Sequence, residues 1–380
     1  MGFARSSRRA TARCCRDNNR LRMAYDVAYV LPRRMHFGPS KAGSTELCVY
    51  DLVRFSRFKA TTSIFCPPIQ NPFAGLNVEF LAPYGIGGVF ARALEVAAII
   101  RRRRYRAAVV EQNWLAANVV ASLSGVPTLF HTHSQPKTGS TPLQRMLERE
   151  KYRRYDRTVV VSQFCLDHFR AHFPRRAAAA VYNGLDMAEW RADRPKEKTI
   201  LSVGRAVPFK GHLEAMRAIV DVLANEPDWT AQFILSDTEP NRDYFDSLRE
   251  MARRLPRQIR IDADLEYTAV KDAWERAAIG MVLSSYQEPF GRTALEALAS
   301  GAALITSGTG GIREICGPHA VFVDPGNSDH VALALRELIG DPRRRRELGE
   351  AARSRVSELF DIRGVAASMD RVVATAMRQS

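Results

Sequence analysis

Short apolar runs, rich in β-branched residues, alternate with amphipathic segments along most of the chain. The runs predict strands at 26–31, 61–65, 78–81, 107–111, 128–130, 158–161 and 178–181, and then at 199–203, 232–235, 259–261, 279–283, 302–305 and 320–323. Most intervening segments repeat apolar residues with a helical period over about 10–16 residues. Because continuously apolar strands alternate with helices, the pattern predicts parallel sheets covered by helices on both faces.

Two sets of these elements predict two Rossmann-like domains, each with its ligand at the carboxyl ends of the strands. The length of 380 residues agrees, since one hydrophobic core rarely serves more than about 250–300 residues. We assign residues 23–185 to the first domain and residues 199–360 to the second. Residues 186–198 have mixed charge and little periodicity and are predicted to be a linker. Residues 361–380 are predicted to form a helix that packs back on the first domain.

The first 22 residues differ from the rest of the sequence. They are rich in Arg, lack apolar periodicity, and contain no hydrophobic segment typical of a secretory signal. One interpretation is a mitochondrial-type presequence, because Arg and Ser are common there and acidic residues are nearly absent. The other, which we favour, is a disordered or misassigned segment, with Met23 opening the protein.

Positive charge is concentrated in the first half of the chain. Of the net charge of +15, residues 1–190 carry +16 and residues 191–380 carry −1. Without the basic tail, residues 23–190 still carry +10. The first domain is therefore expected to face an anionic partner, which could be a membrane surface, a phosphorylated acceptor or nucleic acid.

Cysteine usage and hydropathy exclude several classes of protein. The six cysteines are scattered without a C-x-x-C pair: Cys14, Cys15, Cys48, Cys66, Cys165 and Cys316. This distribution argues against a zinc site or a disulfide framework and fits a reducing cytoplasm. The sequence also has no uninterrupted apolar stretch approaching the ~18–20 residues that a membrane-spanning helix needs.

The segment 284–301 carries the strongest chemical signal. A predicted strand ends, a turn with Pro and Gly follows, and good helix formers begin at about Arg292. The backbone N–H groups of 290–293 would then be unpaired at a helix N-terminus, where they suit a phosphate or a developing anion. Glu288 and Glu296 bracket the turn, and each could accept hydrogen bonds from sugar hydroxyls. Read alone, Glu288 could equally be a turn residue and Glu296 an exposed helical one.

Two further turns follow predicted strands of the second domain. Gly204 ends the first of these strands, and Arg205 and Lys210 follow on the loop where a doubly wound fold binds phosphate. Two cations there could neutralise a leaving pyrophosphate without a metal. The Gly-rich turn 307–312 could cradle a phosphate or sugar, but it lacks G-x-G-x-x-G spacing and the Walker Lys-Ser/Thr pair. A nicotinamide enzyme and a P-loop NTPase are therefore disfavoured.

Together these motifs resemble the retaining glycosyltransferase family 4, also called glycosyl transferases group 1. The resemblance extends over residues 23–380 and includes a first Gly loop at 37–46, a V-S element at 159–162, an N-G-L-D element at 183–186 and the segment 324–360. Members of this family have the α/β GT-B fold, in which two Rossmann-like domains with parallel sheets face a central interdomain cleft. The resemblance implies that the first domain binds the acceptor and the second binds the nucleotide-sugar donor.

The resemblance also implies individual roles. Arg205 and Lys210 would bind the donor diphosphate, Glu288 would contact the transferred sugar, and Glu296 would bind the ribose hydroxyls. The remaining donor-binding positions are Phe290, Gly291, Arg292, Thr293 and, in the first loop, Gly43.

The family pattern places a loop His near the reacting carbon, and His131 fits that place. We give it a positioning role, with His133 as an equally titratable neighbour.

Asp262-Ala263-Asp264 also reads as D-x-D, the metal-binding signature of the other glycosyltransferase fold. Its late position in the second domain, together with the cations of Arg205 and Lys210, favours a site without metal.

The sequence thus predicts a cytoplasmic, retaining and metal-independent glycosyltransferase that needs no cofactor. It would move a hexose from a GDP- or UDP-linked donor to a glycan or lipid-linked acceptor in cell-surface polysaccharide or lipopolysaccharide synthesis. Its basic first domain would contact anionic membrane at the inner face. Arg101–Arg104 follow an apolar helix and are interpreted both as caps of its negative end and as a basic rim on lipid.

Two other classes of protein compete with this prediction. A nucleotide-sugar epimerase or a phosphorylase could use the same fold, and the phosphorylase would need a pyridoxal-binding Lys in its second domain. A nucleic-acid-binding protein is suggested by the pI of about 9.9 alone. It is disfavoured because the sequence has no interleaved aromatic residues and no helix-turn-helix or RNA-binding signature, so we expect no nucleic-acid partner.

Overall fold

The computed structural model of the protein describes residues 25–39, 43–81 and 88–379. The predicted N-terminal tail, residues 1–22, lies outside the described residues. Within them, the chain forms two α/β domains, each built on one parallel sheet. The prediction of two Rossmann-like domains is confirmed.

The first domain contains a seven-stranded sheet in the order β3-β2-β1-β4-β5-β6-β7. Its strands are β1 (Val27–Val30), β2 (Thr62–Cys66), β3 (Asn77–Phe80), β4 (Ala107–Glu111), β5 (Thr128–Thr132), β6 (Arg157–Val160) and β7 (Ala178–Ala180). Its helices are α1 (Ser44–Phe55), α2 (Gly88–Arg103), α3 (Trp114–Leu123), α4 (Pro142–Lys151) and α5 (Gln163–His172). The strand order reverses between β1 and β4, and such a switch point opens a crevice at the carboxyl ends of the strands.

The second domain contains a six-stranded sheet in the order β10-β9-β8-β11-β12-β13. Its strands are β8 (Glu197–Arg205), β9 (Thr230–Ser236), β10 (Ile259–Ala263), β11 (Ala277–Val282), β12 (Ala303–Thr306) and β13 (Val321–Phe322). The helices that follow are α6 (His212–Leu223), α7 (Arg242–Ala252), α8 (Tyr267–Arg276), α9 (Arg292–Ala299), α10 (Ile312–Cys316), α11 (Ser328–Gly340), α12 (Pro342–Leu359) and α13 (Ile362–Gln379). Here the order reverses between β8 and β11, which places the motifs that are predicted to bind phosphate at that switch point.

Each sheet is covered on both faces, as its continuously apolar strands require. In the first domain, one core layer joins Val49 and Leu52 of α1 to the sheet, and the other joins Val96 of α2 and Val120 of α3 to the opposite face. The second domain repeats this plan, with α6 and α11 on one face and α9 and α12 on the other. None of the described helices combines the length and the apolar character needed to cross a membrane.

The predicted linker, 186–198, is packed against the second domain. Met187 and Trp190 are buried, and the Arg353 guanidinium donates a hydrogen bond of 2.8 Å to the Trp190 carbonyl oxygen. The strand β8 begins at Glu197, inside the predicted linker, because Glu197 already pairs with Ala277 of β11.

The last helix, α13, leaves the second domain and packs on α1. Its Val365, Met369 and Val373 belong to the first domain's core. The Asp370 carboxylate accepts hydrogen bonds from the Ser56 hydroxyl at 2.6 Å and from the Arg57 N–H at 2.8 Å. These contacts fix the C-terminal segment to the first domain.

Candidate active site

A cleft of about 560 Å³ lies between the two domains, at the carboxyl ends of both sheets. The first domain lines it with the start of α1, Gln112, His133 and Ser134. The second domain lines it with the end of β8, the loop after β11 and the first turn of α9. The cleft therefore brings together loops from both switch points.

The start of α9 presents unpaired donors to the cleft. Gly291 caps this helix with a φ of 106°, and a Cβ there would lie 2.4 Å from Cγ1 of Ile312, so only glycine fits. No side chain caps the helix. Among the described residues, the N–H groups of 290–293 also donate no backbone hydrogen bond. Phe290, Gly291, Arg292 and Thr293 all line the cleft, and the free N–H groups suit an anion.

Glu288 lies at the cleft wall and is only 8% exposed. Its Oε1 accepts hydrogen bonds from Nζ of Lys210 at 2.7 Å and from the Ser284 hydroxyl at 2.8 Å. The Gly310 backbone packs so closely that a Cβ there would lie 2.2 Å from the Glu288 carbonyl oxygen. The Gly-rich turn thus lies behind Glu288 and supports its loop, outside the cleft lining where the sequence suggested a phosphate or sugar.

Glu296 is buried in α9, which excludes its interpretation as an exposed helical residue. Its Oε1 accepts hydrogen bonds from Nε of Arg292 at 2.9 Å and from the Tyr267 hydroxyl at 3.1 Å. Burial raises the pKa of Glu296, although the Arg292 guanidinium opposes this. The carboxylate is therefore held in one orientation at the cleft wall.

Arg292 also links the two domains. Its Nη1 lies 3.2 Å from Sγ of Cys48, and its Nη2 lies 3.9 Å from Oδ2 of Asp51, both on α1. Burial raises the pKa of Asp51 to about 6 despite the nearby Arg292. From the sequence, Arg292 was expected to act through its backbone N–H alone, and the interdomain contact of its side chain was not predicted.

Arg205 and Lys210 both line the cleft, as the loop position predicted, but their surroundings differ. Arg205 is exposed and stacks on the Phe209 ring, 5.5 Å from its centroid. Lys210 is paired with Glu288. Below them, burial lowers the pKa of His212 to about 4, so this imidazole is neutral and bonds the Ser202 hydroxyl and the Arg205 carbonyl oxygen.

The two histidines of the first domain lie at different depths. His131, the predicted catalytic imidazole, has no exposed surface and lies within β5, whereas His133 lies just past the strand and lines the cleft. The two residues share one side of the strand because they are two positions apart. The two residues differ in how deeply the fold buries them, which could not be read from the sequence. Because His131 is fully buried and His133 lines the cleft, His133 is the imidazole at the cleft.

Both imidazoles lie against one buried carboxylate, Glu111, which was not among the predicted site residues. Nδ1 of His131 lies 3.0 Å from Oε1 of Glu111, and Nε2 of His133 lies 3.4 Å from Oε2 of Glu111. Glu111 ends β4 and pairs in register with His131, so its place at the carboxyl edge of the predicted sheet was the available signal. Burial favours the neutral acid, but the two imidazoles outweigh it and lower the pKa of Glu111 to about 2.

The same contacts act on His133. Its burial and the neighbouring His131 favour the neutral imidazole. The adjacent Cys48 thiol and Glu111 carboxylate outweigh both and raise the pKa of His133 above its ordinary value. The floor of the cleft in the first domain therefore favours a cationic imidazole.

Gly43 and the D-x-D segment complete the predicted positions. Gly43 caps α1 and lines the cleft, while residues 40–42 of its loop lie outside the described residues. Asp264 lines the cleft, but Asp262 is bonded to Gln232 and Arg260. Among the described residues, the group of three or more His, Cys, Asp and Glu side chains close enough to hold a metal ion is Glu111, His131 and His133, whose ligand atoms lie within 4.8 Å of one another.

Comparison with known proteins identifies the family. The profile described as "Glycosyltransferase Family 4" matches residues 48–189, and that described as "Glycosyl transferases group 1" matches residues 187–355. The glycogen synthase of Mycobacterium tuberculosis is 33% identical over 206 residues, which are 52% of this chain and 48% of that protein, so the match spans about half the length of that relative. The D-inositol 3-phosphate glycosyltransferase of Corynebacterium aurimucosum is 24% identical over 350 residues, which are 81% of this chain and 80% of that protein.

Solved structures agree on the fold. The Anabaena HepE protein, solved in complex with UDP and glucose, superimposes with a TM-score of 0.75 and 17% identity, covering 92% of this chain and 100% of that one. At this identity the likeness concerns the fold alone. Two adjoining family profiles and a two-domain parallel-sheet architecture with its cleft at both switch points show that the chain belongs to glycosyltransferase family 4, with the GT-B fold.

Proposed function

We propose that the protein is a retaining, metal-independent glycosyltransferase that transfers a hexose from a GDP- or UDP-linked donor to a glycan or lipid-linked acceptor. The observation that carries the proposal is the cleft wall of the second domain. There, a helix N-terminus with free N–H groups lies beside Arg205 and the buried carboxylates Glu288 and Glu296. The retaining course rests on the family to which the chain belongs.

The donor would lie along this wall. The N–H groups at the start of α9 and the exposed guanidinium of Arg205 would bind the diphosphate, because both offer positive potential without a competing ion pair among the described residues. Glu288 would accept hydrogen bonds from sugar hydroxyls, and Glu296 from the ribose. The UDP and glucose in the HepE structure support a nucleotide sugar as the donor.

The leaving diphosphate gains charge as the glycosidic bond breaks. The helix N-terminus, Arg205 and Lys210 would stabilise that charge, with Lys210 held in place by Glu288 before the donor binds. Metal independence follows if these groups are sufficient. Transfer should then persist in EDTA, whereas complete loss that Mg²⁺ restores would return Asp262 and Asp264 to consideration.

The imidazole pair would serve the first domain's side of the cleft. We assign the contact with the sugar or the leaving phosphate to His133, because it lines the cleft, and a supporting role to His131, because it is buried behind. Paired substitutions test this assignment. His133→Ala should lower kcat while the fold is kept, and loss of transfer in His131→Ala alone would contradict it.

Variants of the two carboxylates test the donor site itself. Glu288→Ala should lower kcat by about 10²–10³-fold if the carboxylate acts on the transition state, and Glu296→Ala should mainly raise the donor KM. Glu250→Ala, at an exposed position of α7, is the matched control. Equal and small effects of both variants would contradict the donor-site assignment. Conversion of the nucleotide sugar without an acceptor would favour an epimerase, and pyridoxal absorbance would favour a phosphorylase.

The acceptor side of the proposal concerns the first domain. A charge of +10 on residues 23–190 favours a phosphorylated or lipid-linked glycan, as in cell-surface polysaccharide or lipopolysaccharide assembly, at the cytoplasmic face of a membrane. Of the predicted basic rim, Arg103 is paired with Glu79, whereas Arg101 and Arg102 are exposed at the end of α2. Binding to anionic vesicles that weakens with added salt would support peripheral contact.

A further inference from the structure

The helix α4 carries an apolar stripe on its outer side. Leu143, Met146 and Leu147 are spaced as one face of a helix, and they are 62%, 55% and 52% exposed. No residue of α4 is buried. An amphipathic helix of a globular domain normally turns such a stripe towards the core, so this one is without a partner among the described residues.

Hydrogen bonds at the first turn of α4, and not packing of its apolar stripe, stabilise this helix. The Thr141 side chain accepts a hydrogen bond of 3.2 Å from the Gln144 N–H, and Oε1 of Gln144 accepts one of 3.1 Å from the Thr141 N–H. Pro142 occupies the first turn. This capping box stabilises the start of α4 while its apolar face remains available.

The stripe continues onto α3 and is bordered by positive charge. Trp114 of α3 is 39% exposed, and Nζ of Lys151 lies 5.6 Å from its ring centroid. Residues 141–154 contain five basic and two acidic side chains. Both acids are paired, Glu148 with Lys151 and Glu150 with Arg153, so the surplus charge around the stripe is positive.

In the sequence, the stripe follows closely after a residue that lines the cleft. Ser134 lines the cleft, and only seven residues separate it from Pro142. We propose that Leu143, Met146, Leu147 and Trp114 form a docking surface for an anionic lipid bilayer. An apolar face with a basic border matches the chemistry of such a bilayer, since apolar side chains enter the acyl boundary and cations meet the headgroups. The inference rests on the proposed function, because docking here would bring a lipid-linked acceptor to the cleft.

The test is flotation of the full chain with vesicles of phosphatidylcholine alone or mixed with phosphatidylglycerol. The wild type should bind the mixed vesicles, and the triple variant Leu143→Gln, Met146→Gln, Leu147→Gln should bind at least about tenfold less. Leu333→Gln, on the second domain and 55% exposed, is the matched control and should bind like the wild type. Circular dichroism and the melting temperature establish that each variant is folded.

Vesicle binding by the folded triple variant equal to that of the wild type would overturn the inference. So would a wild type that is dimeric by sedimentation and loses only dimerisation in the triple variant, because the occupant would then be a second copy. A thermal shift with UDP- and GDP-sugars separates this from the proposed function. If the wild type binds mixed vesicles through α4 but no nucleotide sugar, the docking surface stands and the proposed transferase fails.

Discussion

Replacing Glu111 with Gln removes a carboxylate that is fully buried between two imidazoles. A fall in the pKa of Glu111 from 4.5 to about 2 corresponds to about 3 kcal/mol of native-state stabilisation. For a domain of this size, a loss of ~3 kcal/mol lowers the melting temperature by about 6–12 °C. Gln keeps the shape and one hydrogen bond, so the measured loss should lie at or below this value.

The stability lost in Glu111→Gln should depend on pH in a defined direction. Because the folded state raises the pKa of His133, the ion pair stabilises the fold fully below the unfolded pKa of 6.5 and loses that contribution as the pH rises through the folded value. The stability difference between wild type and Glu111→Gln should therefore be largest between pH 4.5 and 6.5 and should decrease as the pH rises through the folded pKa of His133. The same contribution is also lost at acid pH, as Glu111 becomes protonated between pH 4.5 and about 2.

Urea unfolding and transfer kinetics at a series of pH values measure both effects. The basic limb of the kcat/KM profile should move to lower pH in the variant, because His133 then loses its proton more readily. Glu150→Gln, an exposed glutamate of the same domain, should change neither quantity. A stability loss that is independent of pH or grows as the pH rises, together with an unmoved profile, would refute the reasoning.

Three further substitutions test the surroundings of the site. Gly310→Ala should reduce kcat as a Glu288 variant does, because Gly310 has a φ of 57° and an added Cβ would clash with the Glu288 backbone. Gly340→Ala, which has open space around it, is the control. Equal kinetics of the two variants would contradict the prediction. Asp51→Asn should stabilise the fold by up to about 3 kcal/mol above pH 6, because burial raises the pKa of this carboxyl from 3.8 to about 6. Below pH 4 the substitution should have no effect on stability. The absence of any gain in melting temperature at pH 7.5 would contradict this prediction. Asn327→Ala should lower the free energy of unfolding by about 1 kcal/mol, as it caps α11 by accepting two N–H hydrogen bonds, and an unchanged urea midpoint would speak against that cap.

The positions of the strands along the chain were predictable, and so was the convergence of the motifs that line the second domain's side of the cleft. Each predicted strand overlaps one in the described residues, because most strands contain a short apolar run bounded by turn signals. The motifs that follow β8 and β11 meet because carboxyl ends of parallel strands share an edge. Hydrophobic periodicity therefore predicted the parallel sheets, and the geometry of a parallel sheet explains why Arg205, Lys210 and Glu288 meet at one edge.

Depth and long-range pairing were not predictable. Glu296 has a helical position typical of a surface residue, but α9 is covered on both sides and buries it. His131 and His133 have the same sequence signature, and only the packing around β5 separates them. The end of β4 marked Glu111 as an edge residue, but its pairing with His131 was not predictable because that partner lies on the neighbouring strand. The sequence states which side chains follow a strand, but not how far each extends from the core.

The return of α13 to the first domain has a consequence for synthesis of the chain. The backbone crosses between the domains twice at adjoining points, where the Leu185 N–H donates to the Phe360 carbonyl oxygen at 3.0 Å and the Ile362 N–H donates to the Leu185 carbonyl oxygen at 2.9 Å. The second domain is thus inserted into the first. The core of the first domain can be completed only after α13 has been synthesised, because Val365, Met369 and Val373 belong to it. The paired crossings place the beginning and the end of the inserted domain next to each other, at Leu185 and at Phe360–Ile362.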